Sequence, residues 1–299
     1  MKERMGPVHM HWKEGVGSNV RLLVAALRKF DDDHGFFLSS GITFNLLICL
    51  VPLILLLLAL VGTYLYTSRE VLDHIRTYLE NIAPSLDPRV MRNILRITRD
   101  RKIVGMIGMG GLIWTSTWVF SSLRIALNIV FQTEKGRGIF LGKAIDLLMV
   151  FLAVIFLMMS MTLTSAITVV EGHRFRSVID IAPFIRWILK YIVPFFFTYW
   201  MFFLIYMIIP DKKIRIKAAL QATFLTSLLW ETAKQLFGWY VSHLGRFSMI
   251  YGSLSTLAIF FSWIYYSSAI LLLGGEIAFL LDSNLEAPRR KNKRKRIIF

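Results

Sequence analysis

The sequence predicts an all-α, polytopic membrane protein with six transmembrane helices. Six runs of eighteen or more mostly apolar residues are each long enough to cross a bilayer as a helix. The chain of 299 residues is 56% hydrophobic and 18% charged, against about 45–50% and about 25% in water-soluble domains. The runs are rich in Leu and Met and lack the period-two alternation of a barrel wall. Backbone polar groups in lipid must be satisfied within the segment, which selects helices. The same composition excludes intrinsic disorder. A single cysteine, Cys49, excludes a disulfide framework and a multi-cysteine zinc site.

Residues 1–37 read as a cytoplasmic N-terminal segment. Its polar start carries no short apolar core with a small-residue cleavage site, so it is not read as a signal peptide. Residues 20–30 are amphipathic. Leu22, Leu23, Ala26, Leu27 and Phe30 share a face, with Arg21, Arg28 and Lys29 beside it. That pattern fits a helix lying on the bilayer surface, or a cap packed on the bundle.

The transmembrane domain is expected over 38–281, with spans near 39–66, 104–131, 140–170, 187–210, 217–241 and 251–281. Pro52 sits inside the first span and removes the hydrogen bond to the Ile48 carbonyl, so a kink is expected there. Between the first two spans, 67–102 shows helical spacing broken by Pro84 and Pro88, which predicts two short amphipathic helices outside the membrane. Gly105, Gly108, Gly110 and Gly111 open the second span as packing notches or hinges. Residues 282–299 form a basic tail.

The net charge is +16, from 35 Lys and Arg against 19 Asp and Glu. Six spans put both termini on one side, where 20 of the 35 cations fall; 13 lie on the other side, and Arg124 and Lys234 lie inside spans. The excess places the termini in the cytoplasm. Arg289, Arg290, Lys291, Lys293, Arg294, Lys295 and Arg296 follow the last span directly, which suits anionic lipid headgroups better than nucleic acid. The expected partners are therefore membrane lipids, with no nucleic acid; an oligomer is compatible with the sequence.

The run from Trp114 to Asn128, with Phe120-Ser121-Ser122-Leu123 and Ala126-Leu127-Asn128, resembles the signature of the YihY/BrkB family of bacterial inner-membrane proteins. So do Cys49-Leu50-Val51-Pro52, Tyr206 with Pro210, Trp230-Glu231 with Lys234, and Tyr251-Gly252-Ser253-Leu254 with Gly274-Gly275-Glu276. Cys49, Thr43-Phe44, Gln221 and Gly275 depart from the common pattern. The resemblance implies six spans with cytoplasmic ends and a link to virulence and envelope lipid export. It also brings an old attribution of ribonuclease activity, read here as a misassignment.

Ionisable groups inside spans are costly and point to function. Thr117, Ser121, Arg124 and Asn128 recur on one helical face of the second span, and Thr223, Ser227, Glu231 and Lys234 on one face of the fifth. Ser160, Thr164 and Thr168 mark the third span, and Glu276 lies near the end of the sixth. Ser121, Arg124, Asn128, Ser227, Glu231, Lys234 and Glu276 thus form a candidate lining for a polar pathway. The alternative is a buried structural network, with Glu231 and Lys234 paired to each other and Arg124 neutralising Glu276.

No catalytic motif stands out. Phosphate-binding and dinucleotide fingerprints, HExxH and Gly-x-Ser-x-Gly are absent from the sequence. Asp31-Asp32-Asp33-His34 is the best metal-like cluster, but acids beside a helix start have an ordinary role. No cofactor, metal site or enzymatic activity is expected. The functional expectation is a transporter or flippase-like protein for a lipid or amphipathic envelope substrate. A non-transporting assembly scaffold and a membrane-bound nuclease or hydrolase are the alternatives.

Overall fold

The computed structural model describes residues 16–65, 101–133, 136–172, 192–243 and 253–297. Among them the elements are helices: α1 (Val16–Asp32), α2 (Gly35–Leu65), α3 (Arg101–Val130), α4 (Ile139–Gly172), α5 (Val193–Ile208), α6 (Ile216–His243) and α7 (Ser253–Ile297). Six of them, α2 to α7, stand where the six spans are expected. Three are long and apolar enough to cross a membrane, over Gly35–Leu60, Lys102–Val130 and Leu257–Leu285, and α5 is a shorter apolar helix. The expected helices within 67–102 fall almost wholly outside the described residues. The side chains of Ser160, Thr164 and Thr168 and of the cations at 289–296 also lie outside them, although α7 continues through that basic stretch.

The chain forms two compact units, one of residues 1–43 with 120–299 and one of residues 44–119. In the second unit, α2 runs unbroken through Pro52. Its neighbour α3 meets it through glycines. A Cβ on Gly108 would lie 2.9 Å from the Leu56 backbone nitrogen, and one on Gly111 would lie 3.1 Å from Pro52 Cβ. Gly108 and Gly111 therefore act as packing notches, whereas a Cβ on Gly110 would meet nothing within 4 Å. Val51, Ile54 and Leu57 of α2 and Met106 and Ile113 of α3 remain exposed, as lipid-facing surface does and a water-facing surface rarely does.

In the first unit, α7 packs on α1, α5 and α6, and α5 packs on α6 and α4. Leu22, Ala26 and Phe30 of α1 are buried. Part of the apolar face expected to meet the bilayer is thus the face turned to α7, and Leu27 stays outside. Pro194 in the first turn of α5 suits a position where no helical N–H bond is required, and Pro210 follows directly after its C-cap Ile209. Tyr206, fully buried, donates to the Leu271 carbonyl at 2.8 Å and lies 3.4 Å from Thr226 Oγ1. Gly274 faces this pair so closely that a Cβ there would come within 2.1 Å of both side chains. One tyrosine thereby joins α5, α6 and α7.

Helix α3 ends in a Schellman motif. The Thr133 N–H bonds to the Asn128 carbonyl at 2.9 Å and the Gln132 N–H to the Ile129 carbonyl at 3.0 Å, with Gln132 in the left-handed region at φ 49°.

Candidate functional site

Four ion-paired clusters gather around the ends of the helices in the first unit. In the first, Lys29 of α1 reaches Glu276 of α7, with Nζ 2.6 Å from Oε2. Glu276 is fully buried. Lys29 also donates to the Val130 carbonyl at 2.8 Å, pairs with Asp33, and sits 4.4 Å from the centre of the Phe279 ring. Lys212 approaches the same ring at 4.9 Å and donates to the Phe131 carbonyl at 3.3 Å. Two cations therefore meet the C-terminal carbonyls of α3, where the helix dipole is negative.

In the second cluster, Arg124 of α3 forms a fork-like pair with Asp146 of α4. Its Nε is 3.1 Å from Oδ1 and its Nη2 3.2 Å from Oδ2. Asp146 is buried, and Lys143 stands 4.0 Å from it. Gly142 makes room for the guanidinium, since a Cβ there would lie 2.6 Å from Arg124 Nη1. Burying two charges costs several kcal/mol each, so such a pair persists only with good geometry. The two parallel bonds of the guanidinium supply it.

In the third, Asn128 donates to Asp211 Oδ2 at 2.8 Å and accepts from the Asp211 N–H at 2.9 Å. Arg137 adds its own N–H to Asp211 Oδ2 at 3.0 Å and its Nε at 3.4 Å from Oδ1. The Arg137 guanidinium also holds the Ile208 and Pro210 carbonyls at the end of α5. In the fourth, Arg215, just before α6, binds Asp282 of α7 through its N–H at 3.0 Å and its Nε at 2.9 Å.

The seven candidate residues are thus divided. Arg124, Asn128 and Glu276 each belong to one of these clusters, with separate partners, and Arg124 does not neutralise Glu276. Ser121 is half-buried one turn before Arg124. Glu231 and Lys234 pair with each other at 2.7 Å on α6, and the Lys234 side chain is 42% exposed. Ser227 is fully buried, and its Oγ finds no hydrogen-bond partner among the described residues. Thr223 Oγ1 on α6, and Ser267 Oγ and Glu276 Oε1 on α7, are in the same state.

Lys29, Asp146, Arg137, Asp211, Arg215 and Asp282 are absent from the sequence-derived candidates. Asp146 carried a signal, an acid within an apolar span. In the Asp31–His34 cluster, Asp33 is engaged by Lys29, Asp31 and Asp32 are exposed, and His34 takes a left-handed φ of 55°. Among the described residues no group of three or more His, Cys, Asp or Glu is placed to hold a metal ion.

The profile of the virulence factor BrkB family matches residues 26–298. The chain belongs to this family. Its BrkB relatives include a UPF0761 membrane protein of Haemophilus influenzae (strain 86-028NP), 24% identical over 85% of this chain and 93% of the relative. A UPF0761 membrane protein of Glaesserella parasuis serovar 5 is 30% identical over 68% of this chain and 70% of the relative. One from Histophilus somni (strain 2336) is 24% identical over 86% and 91%. No solved structure matches the chain. The BrkB match covers α2 to α7 and all four charged clusters, so the paired groups lie in the shared part of the chain.

Proposed function

We propose that this BrkB-family membrane protein moves a lipid or lipid-linked envelope precursor across the inner membrane, with the headgroup passing along a polar track between α6 and α7 and the tails left in the bilayer. The observation that carries this reading is that, of six buried side-chain oxygens without a hydrogen-bond partner among the described residues, four lie on two helices, Thr223 Oγ1 and Ser227 Oγ on α6 and Ser267 Oγ and Glu276 Oε1 on α7. These two helices pack on each other. A polar atom in hydrocarbon without a partner is costly, and a transient polar headgroup offers what such atoms lack. Lys234, paired with Glu231 at 2.7 Å and with its side chain 42% exposed, is the cation assigned to meet a phosphate or carboxylate. Arg124 and Asn128 act as positioning residues, since Asp146 and Asp211 already hold them. The basic stretch at 289–296 adds anionic lipid contact.

A non-transporting assembly scaffold is favoured by one observation, the full engagement of Arg124 by Asp146. Proteoliposomes carrying fluorescent phosphatidylglycerol in both leaflets separate the two. Transport predicts loss of protection from a membrane-impermeant quencher and slower loss in Glu276→Gln. A scaffold predicts protection equal to that of protein-free vesicles.

A further inference from the structure

Helix α1 is apolar on two sides, and only one is used. Leu22, Ala26 and Phe30 are buried in the unit that contains α7. Val20, Val24 and Leu27 form a second stripe at spacings of four and three, and they are 57%, 43% and 53% exposed. The turn after α1 leads directly into α2, whose membrane-crossing stretch begins at Gly35, and Phe36 and Phe37 in its first turn are 54% and 77% exposed. Arg21 and Arg28, both exposed, stand together on the side of α1 next to this stripe. Asp31, also exposed, ends the stripe on the last turn.

We infer that the Val20–Val24–Leu27 face of α1, with Arg21 and Arg28 beside it, is a docking surface for an anionic bilayer leaflet. The warrant is position and charge together. A helix joined by a short turn to a membrane-crossing helix is held at the level of the headgroups. An apolar stripe there gains by entering the acyl boundary, and cations beside it gain from anionic lipid. The docked face fixes the rotation of α1, and the stripe lies about a third of a turn away, toward 0° when the docked face is at 240°. The same rotation brings Lys29 to Glu276. One helix thus reads the leaflet on one side and closes on the buried carboxylate on the other, and neither contact requires that the protein transport anything.

The test uses the full chain in a Cys49→Ser background, with spin labels on Val20→Cys, Val24→Cys, Leu27→Cys, Arg28→Cys and Leu22→Cys, in nanodiscs of phosphatidylcholine with and without phosphatidylglycerol. Collisions with oxygen report lipid, and those with an aqueous nickel complex report water. The expected result is oxygen in excess at 20, 24 and 27, nickel in excess at 28, and shielding from both at 22. The excess at 20, 24 and 27 falls when phosphatidylglycerol is omitted. Nickel access at 20, 24 and 27 matching that at 28 overturns the inference. Shielding of the stripe from both reagents, or spin–spin broadening from a second copy, overturns it in favour of a protein partner. An oxygen excess indifferent to phosphatidylglycerol overturns the anionic component.

Discussion

The Lys29 ammonium and the Glu276 carboxylate meet at 2.6 Å although 247 residues separate them in the chain. Glu276 is fully buried, so removing the cation leaves a carboxylate without compensation. Breaking a buried pair by deleting one partner costs about 3–5 kcal/mol, whereas replacing both with apolar groups is often close to neutral. Lys29→Met is therefore expected to lower the melting temperature in detergent strongly. Lys29→Met with Glu276→Met together should recover most of the loss. Equal and additive losses would show that the two groups act independently.

Gly142 gives a contrast of space. A Cβ there meets the Arg124 guanidinium at 2.6 Å, while one on Gly138 meets nothing within 4 Å. Gly142→Ala forces Arg124 off Asp146 or shifts α4, a cost of about 1–3 kcal/mol. Gly138→Ala is expected to stay within about 0.5 kcal/mol of the native protein. Thermal denaturation of the two variants side by side checks the difference.

Gly274 is tighter still, because the Tyr206 hydroxyl and Thr226 Oγ1 would both lie at 2.1 Å from a Cβ. Gly274→Ala should destabilise the junction of α5, α6 and α7 by more than about 3 kcal/mol, as overpacking of a close-packed site occasionally does. Tyr206→Phe removes one hydrogen bond to the Leu271 carbonyl and costs about 1 kcal/mol. The double variant Gly274→Ala with Tyr206→Phe should be more stable than the sum of the two losses, since loss of the hydroxyl removes one of the two atoms the new methyl would meet. Chemical denaturation of all three variants measures this coupling.

Gln132 runs in the opposite direction. Its φ of 49° is a conformation in which glycine carries no Cβ penalty. Gln132→Gly is expected to stabilise the end of α3 by about 0.5–1 kcal/mol. A raised melting temperature supports this; a lowered one would mean that the Gln132 side chain matters more than its backbone.

The sequence made the helices legible because apolar run length is a local property. Two of the glycine notches of the second span, Gly108 and Gly111, were also readable, for the same reason. The clusters were legible only by halves. Arg124 and Glu276 stand out as ionisable groups in apolar runs, but their partners Asp146 and Lys29 lie 22 and 247 residues away. Such pairings depend on how helices cross, which periodicity does not encode. The choice between the two readings of α1, bilayer surface or cap on the bundle, was open in the sequence for a related reason. Its wheel carries apolar residues over a wide arc, and nothing local says which part α7 covers. The last helix runs on to Ile297, past Pro288 and beyond the end of the apolar pattern.

The most direct measurement of the central claim is the rate at which labelled phosphatidylglycerol crosses proteoliposome membranes containing the native protein or the Thr223→Val, Ser227→Ala double variant. This variant removes two buried hydroxyls of α6 that lack a partner among the described residues and leaves all four charged clusters intact. The account predicts measurable crossing by the native protein and at least about a tenfold slower rate in the variant, corresponding to about 1.4 kcal/mol, at unchanged or higher thermal stability. Equal rates in the two proteins, or no crossing above protein-free vesicles in either, would contradict it.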